Sequence, residues 1–368
     1  MVKLFFELLR VALGTQDCLS RTPSAEEWQE LYAMAKKQSL VGVCFAGVQK
    51  LQLQYQTPPE MLYLKWMGMA AKIQQRNEKV NWQCAELTER FAKMGLRSCV
   101  LKGQGVAALY KVKGDGLKVN DVSALRQSGD IDIWVDGDMD HAVKVFTEGD
   151  VKLSCIDSVH AHAECFADTE VETHFRPSWM YNSGHEKVFM DFCEAQRSEQ
   201  FGNRDAALGF AYPTVKFNLV FLLLHINRHI FESGIGLRQL MDYYFALKAS
   251  TADERKEAVE VLNGMGLARF TASIMQIEHE VFGLDESEML CHPDMREGRF
   301  LMRDMLRGGN FGKYDERNVA TELDERWKRG WYMLMRGARY LTHYPSEVQA
   351  IPFWKIRHYV WRKRKGYI

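Results

Sequence analysis

Asp130-Ile-Asp132-Ile-Trp-Val alternates polar and apolar residues, the pattern of a half-buried β-strand. On a strand, residues two apart project from the same face, so Asp130 and Asp132 stand side by side. Two carboxylates that close repel, and a divalent cation relieves the repulsion. Ile131, Ile133 and Val135 face the core and fix the register. Alone, an Asp-x-Asp pair also suits a solvated edge strand; its context argues for more. A strand ending at Lys102-Gly103 precedes it, and a second strand, Val171-Glu172-Thr-His174, follows. Glu172 supplies a third acid on a neighbouring strand. Three such acids form a set able to hold two Mg²⁺ ions for in-line phosphoryl chemistry.

The elements that must position these residues fall into three regions: helical over 1–95, mixed α/β over 96–205, and helical over 206–368. In the first, Ser24 and Glu27 are spaced for a capping box. Pro58-Pro59 then breaks the chain before a long helical pattern over 60–94, with Gly95 as its stop. In the middle region, strands are expected over 96–101, 130–136, 151–156, 160–167 and 171–175, with helices after Gly103 and over 138–146. Residues 111–125, rich in Gly, Asp, Asn and Lys, read as an inserted loop. Pro213 is expected at the first position of the next helix. Gly234-Ile-Gly236 separates that helix from one over 237–249, and further helical patterns cover 253–282, 296–307, 321–343 and 353–365. The expected fold is a small mixed-sheet α/β core flanked by helical regions.

Together these pieces resemble the polymerase-β-type nucleotidyltransferase superfamily and, within it, an uncharacterised bacterial nucleotidyltransferase family. The resemblance rests on Leu101-Lys102-Gly103, Arg126-Gln-Ser-Gly129-Asp130-Ile-Asp132-Ile, Glu172-Thr-His174, His225-Ile-Asn-Arg-His229 and Gly236-Leu-Arg238-Gln-Leu-Met-Asp242, and covers roughly residues 25–285. It implies Asp130, Asp132 and Glu172 as catalytic acids and Mg²⁺ ligands, with an NTP as substrate. Lys102, Gly103, Arg126 and Gly129 would contact the nucleotide. His174, His225, His229, Arg238 and Asp242 would shape the acceptor site. The superfamily's usual Gly-Ser is Lys102-Gly103 here, so the serine hydroxyl contact to phosphate is missing. Lys102 would contribute charge instead, and Gly103 would let backbone N–H groups approach an anion.

Several of these residues also have plainer readings. His225 and His229, one helical turn apart, suit a metal, but no third ligand follows, so packing or cleft lining is preferred. Arg238 and Asp242 are spaced to pair with each other. Arg126 offers a bidentate fork to a triphosphate, or is simply a solvated loop residue. The segment 353–365 has six Lys/Arg and no acid, interleaved with aromatics. It suits an RNA or an anionic membrane surface, but Trp354, Val360 and Trp361 on one helical face favour a helix docked on its own protein.

Composition excludes other classes. Lys+Arg and Asp+Glu both total 48, so the formal charge is zero, unlike a histone-like protein or an acidic tail. Hydrophobic residues at 46% and charged residues at 26% are ordinary for a globular chain. The eight cysteines are scattered without a Cys-x-x-Cys pair, which points to free thiols in a reducing cytoplasm. Glu7 and Arg10 interrupt the opening apolar run, and no bilayer-length apolar stretch follows. The reading is transfer of an NMP group from an NTP to a hydroxyl or phosphate acceptor that the sequence does not identify. Its rival is a catalytically silent nucleotide-binding or protein-interaction module, favoured by the altered Lys102-Gly103 and opposed by the three acids. Oligomeric state is not legible.

Overall fold

The computed structural model describes residues 1–113, 119–317 and 335–367. At its centre lies strand β4 (Ile131–Val135), whose five residues are all buried. With β1 (Ser98–Val100), β5 (Leu153–Ser154), β6 (His160–Ala163) and β7 (Val171–His174) it forms a five-stranded mixed sheet in the order β1-β4-β7-β6-β5. β4 runs parallel to β7 and antiparallel to β1. The register sets Asp132 opposite Glu172, and the β6–β7 pairing sets His162 opposite Glu172 and His160 opposite His174. Side-chain alternation therefore gathers every one of these polar groups on one face. Ile131, Ile133, Val135, Ala161, Ala163 and Val171 fill the other.

The apolar face is covered by helix α4 (Glu60–Lys93) and, after a short helix α5 (Gln104–Ala107), by α6 (Met139–Glu148). Along α4 the buried positions Leu62, Trp66, Ala70, Ile73, Asn77, Val80, Cys84, Leu87 and Phe91 advance by three or four residues, one continuous stripe. Its first half packs into the helical core and its second half into the sheet core. Asn77 marks the change. Its amide donates to the carbonyls of Ala124 at 2.6 Å and Arg126 at 2.7 Å, tying down the chain that leads to Asp130.

Three N-terminal helices, α1 (Val2–Leu13), α2 (Ala25–Lys37) and α3 (Val41–Leu51), share one core with helices that follow the sheet. These are α7 (Ser183–Gly202), α8 (Val215–Glu232), α9 (Leu237–Ala249), α10 (Ala252–Gly264), α11 (Ala268–Ile277) and α12 (Met295–Gly308). The two helical flanks are thus one body in packing, although they are far apart in sequence. Ser24 and Glu27 form the expected capping box. No helix among the described residues is long and apolar enough to cross a membrane, and none of the eight cysteines is paired.

Local expectations differ from the structure in several places. Residues 111–125 are not simply a loop: β2 (Lys111–Lys113) and β3 (Val119–Asp121) form an antiparallel hairpin, followed by a turn at Ser123–Leu125. Its tip, 114–118, lies outside the described residues. Pro213 precedes α8 rather than opening it, because Thr214 is the cap, its hydroxyl accepting from the Phe217 N–H. The pattern over 253–282 is two helices separated at Gly266, whose φ of +69° suits glycine. Most of the pattern over 321–343 falls outside the described residues, which resume with helix over 335–340. The final helix, α13 (Pro345–Arg364), stacks Trp354 on Trp179 at 5.7 Å, and continues through His358 to Trp361. Val360 is off that face and exposed, since 354, 358 and 361 follow the helical repeat and 360 does not.

Candidate active site

The polar face of the sheet opens as a cleft between β4, β7 and the helices α8 and α9. Lys102, Gly103, Arg126, Gly129, Asp130, Asp132, Glu172, His225, His229, Arg238 and Asp242 all line it. His174, the remaining candidate, sits beneath it against Asp132. The residues singled out in the sequence therefore come together in one place.

The turn after β1 sets the first group. Leu101 N–H donates to the Asp132 carbonyl at 2.9 Å, which anchors the end of β1 to β4. Gly103 has φ +58° and ψ −111°, a conformation that side-chain-bearing residues rarely adopt. A Cβ on Gly105 would stand 2.0 Å from the Val100 carbonyl oxygen, so the strand can fold this tightly onto α5 only with glycine there. The turn delivers Lys102 Nζ to Asp132 Oδ1 at 2.8 Å.

Asp132 is 3% exposed, and His174 Nε2 approaches the same Oδ1 at 3.0 Å. Burial disfavours the carboxylate, but Lys102 and His174 outweigh it and hold the Asp132 carboxyl well below its usual range. His174 is buried too, yet its bond to Asp132 and its place 3.6 Å from Glu172 Oε2 raise its pKa. Burial likewise opposes the charge of Glu172, and His174 overcomes it, so Glu172 shifts downward. Asp130, exposed at the mouth, moves the other way. The charge of Asp132 pushes it up first, with burial of the carboxyl adding. Lys102 and His174 thus stabilise the charge of one carboxylate, while its neighbour is left with net repulsion from it. An oxygen-rich set with unrelieved negative charge fits a hard divalent cation. Ligand atoms of Asp132, Glu172 and His174 lie within 4.8 Å of one another.

The opposite wall is cationic. Arg126 lines the cleft, but its fork is engaged: Nε donates to Asp242 Oδ1 at 2.6 Å and Nη2 to Oδ2 at 2.7 Å. The Tyr110 hydroxyl donates to the same Oδ1 at 2.5 Å. Asp242 consequently does not pair with Arg238, because it is turned toward the loop carrying Arg126. Arg238, in the first turn of α9, donates to the Gln127 carbonyl at 2.9 Å. Among the described residues no carboxylate lies within ion-pair distance of it, and burial followed by the charge of Arg126 brings it down to about 10. His225 and His229 pack ring to ring at 4.4 Å. Burial, with Lys102 and Arg228 nearby, pushes both well below the usual histidine value, so they are neutral.

Some lining residues escaped the sequence reading. Arg228 lies over the Trp179 ring at 3.7 Å, and Glu232 accepts from the Tyr181 hydroxyl at 2.7 Å. Both share the face of α8 that carries His225, and the spacing 225, 228, 232 was a signal available in the sequence. Leu222, Ile226, Gln239, Trp179, His160 and Phe311 complete the lining.

A family described as uncharacterised nucleotidyltransferase matches the chain over residues 24–283, and the chain belongs to that family. A comparison with curated proteins finds no match.

Proposed function

From that membership we propose that this chain moves a nucleoside monophosphate group from an NTP to a hydroxyl or phosphate acceptor. The observation that carries the reading is the β4–β7 register, which sets Asp132 opposite Glu172 and turns both into the cleft with Asp130. In this reaction an acceptor oxygen bonds to the α-phosphorus as the bond to the pyrophosphate oxygen breaks. The acceptor proton must leave, and pyrophosphate carries the negative charge away. Asp130, Asp132 and Glu172 would hold Mg²⁺, which when bound offsets phosphate charge and activates the attacking oxygen.

The chain's own residues divide the remaining work. Glu172 is shifted toward its ionised form, so at neutral pH it orients the acceptor hydroxyl or takes its proton. Lys102 keeps Asp132 ionised through the 2.8 Å contact and brings positive charge to the phosphate side of the cleft. Arg238 faces the cleft without a carboxylate partner among the described residues, which suits a phosphate oxygen. Arg126, held by Asp242, positions the loop through Gly129 to Asp130 rather than reaching the nucleotide. His225 and His229, both neutral, line the helix wall opposite the acids and would meet the acceptor.

The test is thermal denaturation with each NTP, with and without Mg²⁺, on wild type and Asp130→Asn. Binding to the folded state raises stability by RT ln(1 + [L]/Kd), about 2.7 kcal/mol at 100 Kd. Stabilisation of the wild type by an NTP only with Mg²⁺, and its loss in Asp130→Asn, is the expected result. No stabilisation by any NTP contradicts the reading. Stabilisation without turnover would favour the silent nucleotide-binding module.

A further inference from the structure

Beside the three acids stand two histidines, His160 and His162, that nucleotide transfer does not use. His160 and His162 are two residues apart on β6, so they share a face, while Ala161 and Ala163 between and beyond them turn into the core. The β6–β7 register sets His162 directly opposite Glu172. One ligand atom from each of His160, His162 and Glu172 falls within 4.8 Å of the others. We propose that His160, His162 and Glu172 form a binding site for one divalent transition-metal ion of the Zn²⁺ or Mn²⁺ type, next to the Asp130–Asp132 pair.

Three observations support it. First, the groups converge without satisfying one another. His162 Nε2 stands 4.0 Å from Glu172 Oε1, beyond hydrogen-bond range, and His160 Nδ1 is buried without a hydrogen-bond partner among the described residues. Second, a carboxylate stands behind His162: its Nδ1 lies 2.7 Å from Glu170 Oε1, at ion-pair distance but outside hydrogen-bond alignment. A metal on Nε2 would turn the ring into line, so that this carboxylate orients it from behind. Third, the donor set is two imidazoles and one carboxylate. That mixture suits zinc, manganese or iron, whereas Mg²⁺ prefers oxygen alone. Metal–ligand distances of about 2.0–2.2 Å put tetrahedral ligand atoms roughly 3.3 Å apart, so side-chain shifts of under about 1.5 Å close the site. Three protein ligands leave one position open, and both His160 and Glu172 line the cleft.

His174 is not a member of this set, because its Nε2 is already bonded to Asp132 at 3.0 Å. An ion held by His160 and His162 would fix Glu172 from the far side and reduce its charge. The position of Glu172, and so the pairing of the acids with an acceptor, would then depend on a second kind of metal. The proposal shares Glu172 with the transferase reading but does not rest on that reading.

The test is calorimetric titration of chelator-treated protein with ZnCl₂ and, separately, MgCl₂, with metal content measured by elemental mass spectrometry. Wild type is expected to bind one Zn²⁺ per chain at micromolar concentration or below. His162→Ala should lose the site. Glu170→Gln, which alters an exposed residue behind the ligand, should weaken it by about 10–100-fold while leaving the circular dichroism spectrum unchanged. Asp130→Asn should keep Zn²⁺ binding while losing NTP-dependent stabilisation, so each reading fails separately. Equal Zn²⁺ affinity in wild type and folded His162→Ala, or no stoichiometric Zn²⁺ in wild type, overturns the proposal.

Discussion

Replacing Asp242 by Asn tests how the loop that delivers Asp130 is held. The substitution keeps size and shape but removes the charge that meets Arg126 through two bonds of 2.6 and 2.7 Å. Both side chains are almost wholly buried at the cleft wall, so water replaces the lost partner poorly. Breaking a buried pair from one side costs about 3–5 kcal/mol, because the other charge is left uncompensated. The new amide's carbonyl still accepts one bond from Arg126, which places the expected loss near the bottom of that range, about 3 kcal/mol. Tyr110→Phe removes a single bond to the same carboxylate, about 1.5–3 kcal/mol when Asp242 is intact. In the Asp242→Asn background that second loss should shrink by about 1 kcal/mol or more, since the acceptor is no longer charged. Urea unfolding of the four proteins measures all of this through the midpoint, with the m-value as control. A loss under about 1 kcal/mol for Asp242→Asn at unchanged m, or strict additivity with Tyr110→Phe, would refute the argument that this network fixes the loop.

Lys102→Met should leave Asp132 buried with His174 as its remaining side-chain partner, costing about 2–3 kcal/mol, less than a fully buried pair because Lys102 keeps some contact with solvent; urea unfolding checks it. In carboxyl-labelled NMR titrations, Asp132→Asn should lower the pKa of Asp130, whose upward shift comes first from the Asp132 charge; an unchanged Asp130 would mean that the two carboxylates do not interact. Glu278 is fully buried with neither carboxyl oxygen bonded among the described residues, and burial raises its pKa well above the usual range. The folded chain therefore keeps this proton to higher pH than the unfolded chain. The contribution of Glu278 to stability is full below the unfolded value of about 4.3 and declines as pH rises toward the folded value. Melting temperatures across pH 4–9 should show Glu278→Gln gaining on wild type as pH rises, and a constant gap would contradict the assignment.

The parts of this protein most legible in its sequence were those encoded by short-range alternation. Asp130-Ile-Asp132-Ile gave both the strand and its polar face, and the ladder then matched Asp132 with Glu172. Gly95 and Gly236 marked helix limits because their backbone roles are local. What stayed hidden was set by tertiary partners. Arg238 and Asp242 had the spacing of an intrahelical pair, yet a loop 116 residues away in sequence claims Asp242. The long stripe of α4 read as one helix, but nothing in its period announces that it changes cores at Asn77. His160 and His162 obeyed the same alternation as the two aspartates. Their significance lies in the antiparallel register with β7, which pattern alone does not specify.

The central claim is that Asp130, Asp132 and Glu172 drive transfer of the α-phosphoryl group. It is tested most directly by incubating the protein with Mg²⁺, a cell extract and an NTP labelled on either the α- or the γ-phosphate. Wild type is predicted to transfer α-label and no γ-label to an extract component, with transfer abolished by EDTA. Asp132→Asn should reduce it by about 10²–10³-fold, the scale of losing transition-state charge stabilisation. Transfer of γ-label, equal α-labelling by wild type and Asp132→Asn, or labelling that survives EDTA would contradict it.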